Sequence, residues 1–327
     1  MHDVEEMFSV RAVPWHGLGS VLPEHPKSVE EILTAAGLNW EVGEFPVQVA
    51  LPSGNILIAE DKKAIVRLSD ETLLSVMGGT YNPIQPRALV EFAFSLLDIT
   101  QQEFETADGE PPILFETGMS LSGGRINTLM CRVPRDIKIG GVDPVNLYLG
   151  FVTSHDGSQK FGVHATPVRW VCRNTMNLGI KRAVQSWSTK HTASATSSID
   201  EARRTLKLTW QYADEFEKQM NDLLELEFVK REFEEMVRTL WPKPASEPAP
   251  FSREQYALIG LLESSPNIDD EFRYTKYGAL NAVTELFDWG TRFNQTGPSV
   301  EEKRTLNVLF GKAKAQADRA LQYLLAA

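Results

Sequence analysis

The chain has 327 residues, 42% of them apolar and 24% charged, and its 33 basic and 44 acidic side chains give a net charge of −11. This is globular composition, sufficient for one large domain or two ordinary ones, and no apolar run approaches the roughly 20 residues that cross a bilayer. The acidic N-terminus lacks the apolar core of a secretory signal, and the two cysteines, Cys131 and Cys172, indicate a reducing cytoplasm without a disulfide framework.

The first part of the chain is predicted to alternate turns, strands and two helices. Ser28 followed by Glu31 is typical of a capping box at the start of a short helix. Strands and turns follow over 40–80. Pro86 begins a helix that continues to Asp98, because proline suits the first turn and the following apolar residues share one face.

A second group of strands is predicted near 112–120, 126–133, 145–153 and 160–168. The last two alternate apolar and polar residues, as half-buried strands do. Asp156-Gly157 between them is a strong hairpin signal, so the Ser154–Ser158 segment is predicted to be a tight turn. Lys160 and His164 then fall on the exposed face of the sheet.

The remaining elements are predicted to be helical. After a helix near 171–183, the Ser/Thr-rich stretch 184–198 reads as a flexible loop. Heptad spacing then predicts one long helix over 199–240, which could pair with a partner or pack on the chain's own later helices. Those later helices are predicted over 252–264, 276–293 and 300–325.

The predicted fold class is therefore α+β, with two domains. An N-terminal mixed antiparallel sheet with packed helices occupies 1–192. It is followed by an all-helical C-terminal half, 199–327, that contains the long heptad-patterned helix.

The most informative segment is a basic and aromatic stretch in an otherwise acidic chain. Residues 151–200 carry six basic and two acidic side chains. Basic groups interleaved with aromatic rings suit a groove that follows a sugar-phosphate backbone while bases stack. A solvated, salt-bridged face is the alternative interpretation. The candidate nucleic-acid-binding residues are Lys160, His164, Arg169, Trp170, Arg173, Lys181, Arg182, Trp187 and Lys190.

Other constellations give weaker indications. His155-Asp156 could do general acid–base work, although an Asp-Gly turn explains the pair more simply. His16, His155 and His164 could in principle gather around a metal, but no spacing requires it. The Gly-rich segments at 77–79 and 122–124 lack the signatures of phosphate-binding loops. This argues against the ATPase and dinucleotide-dependent enzyme classes. No cofactor and no metal is therefore expected.

Five motifs in order carry a resemblance to a known family. They are PWHGLG (14–19), TYNPIQP (80–86), SHDGS (154–158), VRWVCRNTMN (168–177) and YGALNAVTELFD (277–288). Together they resemble the phage/plasmid-like protein family built on domain of unknown function 932, over roughly 10–295. The resemblance implies a mobile-element origin, a bacterial host cytoplasm and a role in DNA recombination, replication or defence evasion.

The predicted architecture is also similar to that of phage single-strand annealing proteins. That similarity implies a ring or filament that binds single-stranded DNA in a basic groove without a nucleotide. It is an analogy of architecture and does not come from a site. The net charge departs from that class, and the acidic helical half would have to face away from the DNA.

Three hypotheses follow. The first is a non-enzymatic oligomer that binds single-stranded DNA and promotes annealing. The second is an acidic interaction factor that engages a basic host protein and inhibits a DNA-acting or defence system. The third is a hydrolase that uses His155, Asp156 and His16.

Overall fold

The structure is a computed structural model. It describes residues 7–10, 19–103, 113–169, 186–191, 199–243, 250–290, 300, 303–304, 307 and 311–326.

The described strands form two sheets. In chain order they are β1 (Met7–Val10), β2 (Ser20–Leu22), β3 (Val42–Ala50), β4 (Ile56–Arg67), β5 (Thr72–Gly78), β6 (Leu114–Leu121), β7 (Ile126–Ile139), β8 (Asp143–Ser154), β9 (Phe161–Arg169) and β10 (Ser186–Thr189). The larger sheet has seven strands in the order β10-β9-β8-β7-β6-β1-β2, and the smaller has three in the order β3-β4-β5. Neighbouring strands are antiparallel except β1 and β2, which are parallel.

Helices lie both between the strands and after them. They are α1 (Val29–Ala35), α2 (Pro86–Glu103), α3 (Ile199–Leu224), α4 (Lys230–Leu240), α5 (Arg253–Ser264), α6 (Lys276–Glu285), a π-helical turn (Leu286–Gly290) and α7 (Lys312–Ala326). Ser28 caps α1 as predicted, since its side chain accepts a hydrogen bond from the amide of Glu31 at 3.2 Å. No helix of the described part of the chain is long and apolar enough to span a membrane.

The main apolar core joins residues from both halves of the sequence. Phe92 of α2 lies against Phe161 of β9, with ring centroids 4.9 Å apart. The same buried cluster contains Leu129 of β7, Phe216 of α3 and Tyr277 of α6. One face of the large sheet and the apolar stripes of the helices are therefore removed from water together. The division into two domains stays a prediction.

The predicted layout of sheet half followed by all-helical half is wrong, although the α+β class holds. Helices α1 and α2 are interspersed among the strands and pack on the same core. The heptad-patterned helix over 199–240 is also broken, because the chain leaves the helix after Leu224 and re-enters it at Lys230. In the gap Glu227 forms an isolated antiparallel bridge with Thr275.

That bridge explains the break in physical terms. Phe228 donates its amide hydrogen to the carbonyl of Tyr274 at 2.7 Å, and Lys276 donates to the carbonyl of Leu226 at 3.0 Å. These long-range hydrogen bonds replace the helical ones, so tertiary pairing overrides the local helical pattern. Within α3 itself, the heptad residues Ala213, Phe216, Met220 and Leu223 are buried in the chain's own core.

The predicted β-hairpin is confirmed, and the predicted loop over 184–198 is partly wrong. Strands β8 and β9 pair from Val145 with Arg169 to Val152 with Gly162. Residues 186–189, within the predicted loop, form the edge strand β10 on β9. The predicted helix near 171–183 lies outside the described residues.

Candidate nucleic-acid interface

The β9–β10 edge brings two of the predicted basic residues together. The last pair of the ladder joins Phe161 to Thr189, so Lys160 and Lys190 lie directly beyond it on neighbouring strands. Both lysines are exposed. Neither forms an ion pair with any residue that the structure describes. Adjacent like charges destabilise a sheet, and a bound anion would relieve that repulsion.

The turn before Lys160 is built by local hydrogen bonds. Asp156 accepts the amide hydrogen of Ser158 at its Oδ1 at 2.9 Å, and Gly157 has a φ of 73°, which favours glycine. Ser154 closes the turn, because its Oγ accepts from the amide of Gln159 at 3.0 Å and donates to the Gln159 carbonyl at 2.9 Å. The predicted tight turn is confirmed, and the Asp156 side chain is engaged in shaping it.

Beneath this turn lies a group of four buried polar residues and the half-buried Tyr81, which we call the histidine cluster: Tyr81, Asn127, Thr153, His155 and His191. Asn127 Nδ2 lies 3.1 Å from His155 Nε2, and Thr153 Oγ1 lies 2.9 Å from His191 Nε2. The ring of Tyr81 stacks on that of His191 with centroids 5.1 Å apart. The cluster joins the two sheets, because Tyr81 follows β5 of the smaller sheet whereas the other four lie in or just after strands of the larger one. Asn127 is in β7 and Thr153 in β8, and His155 and His191 follow β8 and β10.

Hydrogen bonds of the histidine cluster fix the two segments that carry Lys160 and Lys190, which we call the lysine pair. Tyr81 Oη donates to the carbonyl of Ser154 at 2.5 Å, which anchors the turn that leads to Lys160. The amide of Asn82 donates to the carbonyl of His191 at 3.0 Å, which anchors the residue after Lys190. Sequence reasoning did not identify Tyr81, Asn127, Thr153 or His191. The TYNPIQP and SHDGS motifs were the signal that could have pointed to Tyr81.

Burial keeps these histidines neutral. Burial lowers the pKa of His155 to about 3, helped by the nearby His191, and it lowers the pKa of His191 to about 4. Because an amide nitrogen donates, Asn127 gives its hydrogen to His155 Nε2, and the ring proton sits on Nδ1. That Nδ1 has no hydrogen-bond partner among the described residues.

This arrangement suits a structural role better than acid–base chemistry. His155 is fully buried and does not titrate near neutral pH, whereas a general acid or base works best near the operating pH. Asp156 is turned towards its own loop. His16 lies outside the described residues. No group of three or more metal-ligating side chains occurs in the described ranges.

The pH dependence of stability tests this cluster. Below pH 6.5, the ordinary histidine pKa, His155 is protonated in the unfolded chain. In the folded chain it stays neutral down to about pH 3. The free energy of unfolding should therefore fall as the pH falls through this window. We expect the urea midpoint of the wild-type chain to drop by more between pH 7.5 and 4.5 than that of His155→Asn. Equal drops in the two proteins would show that His155 is solvated.

Of the seven other predicted interface residues, the structure describes three: His164, Arg169 and Trp187. The predicted exposure of His164 is wrong: its ring lies partly buried over Gly150, and burial lowers its pKa to about 4. The indole of Trp187 is only 5% exposed and stacks on Phe92 with ring centroids 5.4 Å apart, so no open face remains for a base. Arg169 ends β9, opposite Val145. The residues Trp170, Arg173, Lys181 and Arg182 lie outside the described ranges.

Comparison with known proteins identifies a family and no closer relative. The profile of a domain of unknown function, DUF932, matches residues 73–317. That match includes α2, the strands β6 to β10 and the helices α3 to α6, and it therefore contains the whole histidine cluster together with Lys160 and Lys190. Neither the curated proteins nor the solved structures contain a match. Because the profile covers well over half of the sequence, the chain belongs to the DUF932 family.

Proposed function

We propose that this protein binds single-stranded nucleic acid, DNA in the first instance, along the β9–β10 edge. The observation that carries the proposal is the pair Lys160 and Lys190, two exposed lysines without an acidic partner in the described residues, at the end of one sheet edge. The segment that joins β9 to β10 adds Arg173, Lys181 and Arg182 in sequence. A local cationic surface binds phosphate even when the whole chain is acidic.

The roles divide between backbone contact and scaffold. Lys160 and Lys190 contact phosphates, and the histidine cluster sets the spacing of the two lysines from below. Trp187 belongs to the core and does not stack on bases. Assembly into a ring or filament and promotion of annealing are further parts of the same proposal. A phage or plasmid origin and a cytoplasmic location remain expectations of the resemblance.

The test is a double charge reversal with a matched control. Lys160→Glu/Lys190→Glu should weaken binding of a labelled oligothymidylate roughly 10- to 100-fold at about 50 mM salt, and it should flatten the salt dependence, because fewer counterions are released. Fluorescence anisotropy at about 50 and 200 mM salt measures both effects. The thermal unfolding of each variant confirms that it is folded.

The control makes the same change in charge far from the proposed interface. Lys138 and Lys218 are both exposed, and Lys138 pairs with Pro144 near the opposite end of β8 from the turn. Lys138→Glu/Lys218→Glu should leave affinity within about twofold, apart from the general effect of net charge. Equal losses in the two double variants would show that only net charge matters and that the β9–β10 edge is not the interface.

A second candidate function rests on the exposed face of α3 and the residues after it. Exposed carboxylates follow one another there, with Lys218 between them: Asp214, Glu215, Asp222, Glu225 and Glu227. A row of carboxylates resembles the charge pattern of a nucleic-acid backbone and would attract a basic host protein. If the wild-type chain fails to bind the oligonucleotide at low salt, this acidic face becomes the preferred site, and capture of a basic partner that Asp222→Lys/Glu225→Lys abolishes would support it.

A further inference from the structure

The smaller sheet carries a projecting two-stranded arm, which we define as residues 45–59. Strand β5 pairs with β4 only from Lys62 to Arg67, whereas β3 continues to pair with β4 as far as Ile56. Over 56–60 the outer edge of β4 therefore has no strand partner in the part of the chain that the structure describes. The arm extends beyond the third strand as a ribbon.

The arm is apolar on both faces. Ile56, Leu57 and Ile58 are 62%, 56% and 60% exposed. Leu57 shares one face with Val49, its partner across the ribbon, and the two isoleucines lie on the other face. An isolated two-stranded ribbon is marginally stable in water, and exposed apolar residues on both sides add to its cost.

The two edges of the arm differ. On the β3 edge Pro46 has no amide hydrogen to donate, and proline discourages further strand pairing. The irregularity in the ladder lies on β4, where residues 60–62 fall between the partners of Pro46 and Val47. The β4 edge over 56–60 contains no proline, and its first charged residue is Glu60. The β4 edge is therefore the one that is open to another strand.

Charge indicates the chemistry of the partner. Residues 45–59 contain no charged side chain, in a chain that is 24% charged and has a net charge of −11. Two copies of such a chain repel each other over most of their surfaces, and the uncharged arm is where they can approach. Nucleic acid or an anionic membrane would require lysine or arginine, and a membrane interface would favour tryptophan or tyrosine; the arm has none of these.

We propose that the arm is a self-association surface on which the free β4 edge of one chain pairs with the same edge of a second copy. Antiparallel pairing of two identical edges joins the ribbons into a continuous four-stranded sheet and places the apolar side chains of the two copies side by side on each face. Full overlap of 56–60 places Ile58 opposite its own copy. The proposal is independent of nucleic-acid binding, because Lys160 and Lys190 lie outside the arm.

Light scattering coupled to size exclusion tests the proposal on the full chain. The wild-type protein should elute with at least twice the mass of one chain, and Leu57→Lys/Ile58→Lys should elute as a monomer. Both residues are exposed, so the variant should retain the wild-type circular dichroism spectrum. The matched control, Val142→Lys/Leu226→Lys, replaces two exposed apolar residues outside the arm and should keep the wild-type mass.

Cross-linking tests the register. Ile58→Cys should form a covalent dimer under mild oxidation, whereas Val142→Cys and the wild-type chain should not. A wild-type chain that is monomeric at all concentrations, or an oligomer that survives the double lysine substitution, would overturn the proposal. So would a monomer that floats with phosphatidylcholine vesicles through Leu57 and Ile58, since the arm would then bind lipid.

Discussion

Gly278→Ala should destabilise the protein severely, whereas Gly260→Ala should stabilise it slightly. A Cβ at Gly278 would lie 2.1 Å from the carbonyl oxygen of Phe272 and 2.9 Å from its carbonyl carbon. Both are backbone atoms, so a side-chain rotation cannot relieve the overlap. Helix α6 is buried along its whole length and cannot move aside. We expect the free energy of unfolding to fall by about 3 kcal/mol or more.

The control replaces glycine with alanine in another helix. Nothing lies within 4 Å of the position that a Cβ would take at Gly260 in α5. Alanine is the better helix former, so Gly260→Ala should gain about 0.5–1 kcal/mol. Urea denaturation of both variants measures the contrast. If Gly278→Ala is as stable as the wild-type chain, the packing of α6 against the loop before it is different from the one described.

This contrast matters because α6 connects the helices to the large sheet. Tyr277 Oη donates a hydrogen bond of 2.7 Å to Asp143 Oδ2 at the start of β8, and both residues are buried. A shift of α6 away from Phe272 would break this bond and leave a buried carboxylate less satisfied. The motif around 277–288 therefore serves the core, and its glycine reflects a close approach of two backbones.

Trp187→Ala should lower the free energy of unfolding by about 3–5 kcal/mol, because it empties a site in the core. The indole stacks on Phe92 with centroids 5.4 Å apart and meets Phe161 edge to face with centroids 5.7 Å apart. Trp187 is also the main apolar anchor of the short edge strand β10, which leads to Lys190. Urea denaturation measures the loss.

A conservative variant separates packing from contact with bases. Trp187→Phe keeps an aromatic ring in the core and should bind the oligothymidylate within about twofold of the wild-type chain, whereas the Lys160→Glu/Lys190→Glu variant should not. If Trp187→Phe is folded but loses affinity as strongly as the lysine variant, the indole contacts nucleic acid. Trp187 would then leave its site against Phe92 and Phe161 in the complex.

Several elements could be predicted because their causes are local. Alternating apolar residues predict β8 and β9 as strands, since the period of a strand is two. The half-buried exposure that this pattern also predicts is wrong for β8, which is buried on both faces because β7 and β9 flank it and the core and the histidine cluster cover its two sides. Pro86 and the apolar face behind it determine the start of α2. Asp156 and Gly157 determine the turn that precedes Lys160, because one side chain and one positive φ are sufficient to form it.

The rest was decided by contacts between residues far apart in the sequence. The heptad pattern continues past Leu224 without glycine or proline, yet the chain leaves the helix to pair with 274–276. The Ser/Thr-rich stretch becomes β10 because β9 offers a free edge and the core accepts Trp187. Periodicity indicates which residues avoid water, but it does not indicate which partner covers them.

The candidate site divides in the same way. The basic segment could be located from the sequence alone, because the excess of basic over acidic residues in 151–200 is a matter of composition. Only the tertiary structure showed that Lys160 and Lys190 follow the same pair of residues on neighbouring strands, that Trp187 is buried, and that Tyr81 and His191 stack beneath the turn. A hydrogen-bonded strand register brings together residues that are 30 apart in the chain, and no local pattern encodes that register.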